Sequence, residues 1–150
     1  MAYQKTFCML KPGILQRRIV GEIISRIERK GMKIHAMKTM QIPRPLCEEH
    51  YAEHKGKPFY ESLVDYMTSG PVVAMVVGGE EAIPFLRAVA GKTKPAEAAP
   101  GTIRGDYALI TQNNIIHAAD SPESAAREIG LFFDEAEILD YEDPNAHWIS

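Results

Sequence analysis

Asn114-Ile115-Ile116-His117-Ala118-Ala119-Asp120-Ser121-Pro122-Glu123 brings an apolar run, a histidine and a helix start together within ten residues. A histidine at a strand end facing a helix N-terminus is placed to meet an anion, because backbone N–H groups and the helix dipole favour negative charge there. A neutral imidazole is also a nucleophile and titrates near physiological pH. Lys11, Arg87 and Arg104 upstream add positive charge. Together these residues suggest chemistry on phosphate. Taken singly, each has a plainer reading: a structural histidine, solvated surface cations, and Phe59 as core. The case rests on their joint occurrence.

The composition narrows the classes. A chain of 150 residues is expected to form one domain, residues 1–150, with a real core. A net charge of −3 argues against a generally basic nucleic-acid binder, so nucleic acid is not indicated as a partner. Cys8 and Cys47 are far apart and make no metal-type spacing. A disulfide is not expected, and a reducing cytoplasm fits. The N-terminal residues lack a signal-peptide pattern and no apolar run is long enough to span a bilayer, so no membrane partner is expected.

The elements that must position these groups follow from periodicity. Residues 6–10 read as a short buried strand. Val20, Ile23, Ile24 and Ile27 repeat at i, i+3, i+4, i+7 and mark an amphipathic helix stopped at Gly31. Residues 33–42 alternate as a strand, with Ile34, Ala36, Met40 and Ile42 on one face. A short helix over 46–54 and a second carrying Tyr60, Leu63, Val64 and Met67 follow. Residues 72–77 are continuously apolar, as in a central strand. Gly78-Gly79 is expected to turn into a helix with Ala82, Phe85, Leu86 and Val89 inside and Pro84 in its first turn. Residues 91–106 show no periodicity, and a structureless loop that long is usually functional or disordered. Residues 107–110 and 114–117 are strand-like. Ser121 is the expected N-cap and Pro122 the first residue of a last helix running to about Phe133.

The order β-α-β, helical pair, β-α-β-α separates the second and third strands by a helical hairpin, which predicts an antiparallel pair. The fold class is α+β: a ferredoxin-like sandwich with a four-stranded antiparallel sheet, helices and an inserted helical hairpin. Gly91-Lys92-Thr93 is not a P-loop, since Leu86 stands where the first glycine is required and the segment follows a helix. His50 and His54, at i, i+4, have no carboxylate or thiol clearly arranged with them and read as surface histidines.

Several segments together resemble the nucleoside diphosphate kinase family over nearly the whole chain. They are Thr6-Phe7 through Lys11-Pro12 with Gln16-Arg17, Val20-Gly21-Glu22-Ile23-Ile24, His50-Tyr51 and Lys57-Pro58-Phe59-Tyr60. Gly70-Pro71-Val72, Arg87, Gly91-Lys92-Thr93, Pro100-Gly101-Thr102-Ile103-Arg104-Gly105-Asp106 and Asn114-Ile115-Ile116-His117 complete the set.

The resemblance implies transfer of the γ-phosphate of a nucleoside triphosphate to a nucleoside diphosphate, by a ping-pong route through phospho-His117. Mg²⁺ is implied as cofactor, held mainly by the nucleotide phosphates rather than by protein ligands. It implies that Lys11, Arg87 and Arg104 bring positive charge to the phosphates and Thr93 a hydroxyl. Lys11 and Asn114 would hold the ribose, and Phe59 would stack on the base. Tyr51 would line the histidine pocket, and Glu128 would fix the imidazole tautomer. The partners implied are nucleoside di- and triphosphates and further copies of the chain. A homohexamer is favoured by the long tail through Trp148-Ile149; a tetramer is the family's other assembly.

The chain departs from the family pattern where Ala118-Ala119 replace Gly-Ser, where Gly13-Ile14 replace Asp-Gly, and where Arg18 replaces Gly. A missing hydroxyl at Ala119 is expected to slow turnover by a factor of about ten or less. It also motivates the competing reading, a nucleotide-binding scaffold of the same fold with weakened or lost turnover.

Overall fold

The computed structural model describes residues 2–149; Met1 and Ser150, the ends of the expected single domain, lie outside the described residues. Four strands form one sheet in the order β2-β3-β1-β4: β1 (Tyr3–Leu10), β2 (Lys33–Met40), β3 (Val72–Glu80) and β4 (Ile116–Ala118). Every neighbouring pair is antiparallel. Among the described residues eight α-helices accompany them: α1 (Ile14–Arg17), α2 (Val20–Arg29), α3 (Arg44–His50), α4 (Tyr60–Met67), α5 (Ala82–Ala90), α6 (Ile103–Tyr107), α7 (Pro122–Phe132) and α8 (Ala146–Ile149). The chain path β1-α2-β2, hairpin α3-α4, β3-α5-β4 is the ferredoxin-like sandwich that the element order predicts.

The continuous apolar strands are explained by burial on both sheet faces. Cys8, Leu10, Val73, Met75 and Val77 pack with Ile23 and Ile27 of α2 and Leu86 and Ala90 of α5. The alternate residues Phe7, Met9, Val72, Ala74 and Val76 pack with Val64 and Met67 of α4 and with Phe132. The period of two along a strand makes this division automatic.

Four local expectations are corrected. Gly78 and Gly79 do not turn; they lie inside β3, opposite Lys5 and Gln4 of β1. A Cβ on Gly78 would lie 2.6 Å from both His35 Nε2 and Tyr3 Oη, so close approach explains the glycine. Residues 107–110 are not a strand: α6 ends at Tyr107, and Leu109 is 95% exposed. Their place beside β1 is taken by β4. The 91–106 segment is not structureless; it holds a 3₁₀ turn at Pro95–Glu97 and the start of α6, capped by Thr102 Oγ1, which accepts from Gly105 N at 2.9 Å. Ile34 does not share a face with Ala36 and Met40, because a bulge between Ile34 and Ala36 shifts the register of β2.

No helix of the described residues is long and apolar enough to cross a membrane. The tail is strapped to β2: Leu139 N donates to His35 O, Lys33 Nζ to Tyr141 O and Tyr141 Oη to Ile34 O. Beyond that strap, Trp148 is left 81% exposed.

Candidate functional site

β4 is three residues long and lies at the sheet edge, with His117 opposite Met9 of β1. Pairing puts both side chains on the α3-α4-α7 face, where His117 meets Phe7 at a ring-centroid distance of 6.0 Å. The chain reaches β4 through a strained turn. Ile115 has φ 78°, and Ile116 N donates to Asn114 O at 2.9 Å. This is the rare γ-turn with positive φ at its centre, costly for a β-branched residue. Strain of this kind persists only where the surroundings over-determine it. Here Ile115 is buried, and its carbonyl accepts from Lys11 N at 2.9 Å.

Arg104 supplies the strongest of these restraints. Its guanidinium is buried and donates to three main-chain carbonyls: Asn114 at 3.2 Å, Gly91 at 2.7 Å and Ile116 at 2.6 Å. The planar fork of arginine suits such divergent acceptors. Two of the carbonyls flank the γ-turn, and the third ends α5. Arg87, in the last turn of α5, donates to Ala118 O at 3.0 Å, on the other side of His117. Asn114 is held at both ends of its amide: its Oδ1 accepts from Lys11 Nζ at 2.7 Å and its Nδ2 donates to Thr93 O at 2.9 Å.

His117 Nε2 lies 2.6 Å from Glu128 Oε1. An ionised carboxylate only accepts, so this bond assigns the proton to Nε2 and leaves a lone pair on Nδ1. Glu128 is itself buried within α7. The helix begins at Ser121, whose hydroxyl accepts from Ser124 N, with Pro122 as its first residue.

These groups border one cleft of about 630 Å³. Lys11, Tyr51, Arg87, Thr93, Arg104, Asn114, His117 and Glu128 all line it. Phe59 does not; it stands outside the lining, 45% exposed at the start of α4, with its ring 5.2 Å from the cleft-lining His54. Burial pushes the Lys11 ammonium down to about 8, with the Arg104 charge adding to the effect. Burial and then Arg87 lower Arg104 to about 10, which leaves it charged at neutral pH. Burial raises the Tyr51 phenol well above its ordinary range, so the hydroxyl stays protonated.

The sequence reading of His50 is corrected. It is not a surface residue: it is 5% exposed, and its ring lies edge-on to His117 at 4.9 Å between centroids. Neither of its ring nitrogens has a hydrogen-bond partner among the described residues. Burial, followed by His117, Arg127, Lys11 and His54, lowers it to about 3, so it is neutral at pH 7. The helical period was the available signal, since Cys47, His50 and Tyr51 at i, i+3, i+4 share the buried side of this segment. His54 also lines the cleft. Arg127 was missed as well; it reaches across to Glu49 O and His50 O and ties α7 to the end of α3.

The model of the family described as nucleoside diphosphate kinase matches residues 4–138. The nucleoside diphosphate kinase of Archaeoglobus fulgidus is 58% identical over 146 residues, covering 97% of each chain. That of Staphylococcus epidermidis is 55% identical, covering 97% of this chain and 98% of its own. Among solved structures, a halophilic nucleoside diphosphate kinase from Halobacterium salinarum in complex with CDP superposes with a TM-score of 0.96, at 45% identity and 99% coverage of both chains. With the match spanning both the sheet and the cleft around His117, this chain belongs to the nucleoside diphosphate kinase family.

Proposed function

We propose that the cleft transfers a γ-phosphate from a nucleoside triphosphate to a nucleoside diphosphate through phospho-His117. The observation that carries this is the 2.6 Å bond from His117 Nε2 to Glu128, in a cleft walled by Lys11, Arg87 and Arg104. The Nδ1 lone pair attacks the γ-phosphorus and an N–P bond forms. The bond from phosphorus to the bridging oxygen breaks, and the diphosphate leaves with that electron pair. The acceptor's terminal phosphate oxygen then reverses the step. One site serves donor and acceptor in turn. Catalysis of such a transfer is mostly positioning and charge stabilisation, which the buried cations supply.

In this reading Thr93 donates its hydroxyl to phosphate, Lys11 and Asn114 meet the ribose, Tyr51 walls the nucleophile, and Phe59 stacks on the base from the rim. Stacking is tolerant of base identity. Mg²⁺ fits as a passenger of the nucleotide. It prefers an oxygen octahedron with retained waters, and the cleft carboxylates that remain apart from His117 are Asp120 and Glu53. Either carboxylate would help to hold the ion beside the phosphates, whose charge it would neutralise.

The exposed Trp148 and Ile149 support a homo-oligomer, a hexamer by tail length, which sedimentation of the full chain would check. The cytoplasm remains the compartment that the two free cysteines fit.

Single-turnover labelling tests the whole reading. With Mg²⁺ and γ-labelled ATP the protein takes acid-labile label, and unlabelled dGDP removes it as dGTP. Nucleotide binding without label would favour the scaffold reading instead.

Three results follow from the site's electrostatics and packing. Lys11 carries its charge below about pH 8 and loses it above. The value of kcat/KM for nucleotide therefore falls on the alkaline side of that pH, and Lys11→Gln removes this limb from the profile. Glu128→Gln lowers single-turnover phosphorylation by about 100-fold, because an amide can donate to Nε2 and so favour the tautomer without a lone pair on Nδ1. Ala119 is 1% exposed against Ile83 and Ala125 and does not line the cleft. A hydroxyl there acts only through protein groups, so Ala119→Ser raises the phosphorylation rate by no more than about tenfold.

A further inference from the structure

His50 is the group that the kinase reading leaves without a task. A buried polar group with no partner is costly, and native structures rarely keep one without cause. His50 has two such atoms, Nδ1 and Nε2, in a side chain that is 5% exposed. It ends α3 and faces His117 of β4 and Glu128 of α7. One ligand atom from each of the three residues falls within 4.8 Å of the others.

We propose that His50, His117 and Glu128 form a site for a borderline-soft divalent cation of the Zn²⁺ class, and that such an ion holds the nucleotide-free enzyme in an unphosphorylatable state. Two imidazole nitrogens and one carboxylate oxygen, with the cleft open beside them, are a known zinc donor set with a free fourth position. The same donors are poorly matched to Mg²⁺, which takes oxygen ligands. Tetrahedral ligands on bonds of 2.0–2.1 Å stand about 3.3 Å apart. From 4.8 Å the widest gap must close by about 1.5 Å. His50 breaks no hydrogen bond in closing it.

The consequence for catalysis, which rests on the proposed function, does not depend on which nitrogen of His117 binds. An ion on Nδ1 takes the nucleophilic lone pair directly. An ion on Nε2 displaces the proton shared with Glu128, and the neutral ring then carries its proton on Nδ1. Either way no lone pair faces the γ-phosphate. Lys11, Arg87, Arg104 and Arg127 border the same cleft and repel a dication. The site is therefore weaker than a structural zinc centre, and the ion is exchangeable rather than permanent.

The test begins with the unaltered, metal-free, nucleotide-free chain and Co²⁺ alone. A visible ligand-field band that saturates at one ion per chain and is displaced by Zn²⁺ is expected. His50→Gln weakens binding by about 100-fold, whereas His54→Gln, at a cleft histidine outside the cluster, leaves it unchanged. Enzyme pre-equilibrated with Zn²⁺ forms phosphohistidine at least about tenfold more slowly, and treatment with EDTA, removed again before Mg²⁺ and ATP are added, restores the rate. No band up to about 1 mM Co²⁺, where a bound ion would gain only about 4 kcal/mol, would overturn the site. So would binding that survives His50→Gln or disappears with His54→Gln. Failure of the metal-free protein to form phosphohistidine would sink the kinase reading alone, because the Co²⁺ band does not depend on it.

Discussion

His117→Gln eliminates the phosphoenzyme and lowers turnover by roughly 10⁴–10⁶-fold, the scale on which a covalent nucleophile is lost. Glutamine is the informative replacement, because its amide can still donate to Glu128 and so avoids stranding a buried carboxylate. Lys11, Arg104, Asn114 and Thr93 are held by contacts that exclude the imidazole. Nucleotide affinity measured by calorimetry should therefore change by less than about tenfold. A variant that still accepts acid-labile label from γ-labelled ATP would move the nucleophile elsewhere. A variant that loses nucleotide binding altogether would mean that His117 is a structural post.

Arg104→Met has the second-largest effect, and it acts through the backbone. The substitution removes the donors to Asn114 O, Gly91 O and Ile116 O and leaves those carbonyls without the guanidinium. Hydrogen bonds from a charged donor contribute about 1.5–3 kcal/mol each, so a loss of at least about 3 kcal/mol in unfolding free energy is expected. The γ-turn at Ile115 then lacks its outer brace. His117 and Asn114, on either side of that turn, lose their fixed separation, and kcat/KM falls by about 10³-fold. Arg104→Lys recovers little, because one ammonium cannot reach three divergent carbonyls. Denaturant midpoints and steady-state rates check both halves. Full activity in a well-folded Arg104→Lys protein would refute the bracing role.

The cleft-lining residues Lys11, Arg87, Thr93, Arg104, Asn114 and His117 were legible as residue types in order along the chain. Asn114, His117, Ser121 and Pro122 are near neighbours in sequence, and the cap and helix they announce are present. Lys11, by contrast, meets Asn114 only because β1 and β4 pair. The order of the long elements was legible because each buries a whole face or stripe, so hydrophobic period and length agree. The misread segments are those where one tertiary neighbour overrides local pattern. Residues 107–110 are apolar enough for a strand, but the place beside β1 is taken by β4, and Gly78-Gly79 resemble a turn but lie within β3, where Gly78 fits beneath His35 and Tyr3. His50 resembles an exposed partner of His54 by its i, i+4 spacing, whereas the stripe it shares with Cys47 and Tyr51 is the side that the fold covers.

The sequence by itself determined the apolar strands, the amphipathic helices, the cap at Ser121 and the set of cations and the histidine that a phosphate requires. Those depend on near neighbours and on side-chain chemistry, which the chain carries wherever it lies. Only the tertiary structure decided the tautomer of His117, the downward pull on Lys11, the inward turn of His50 and the strain at Ile115. Each of these comes from residues distant in sequence, brought together and away from water, and it is desolvation and short contacts at that point that set their chemistry.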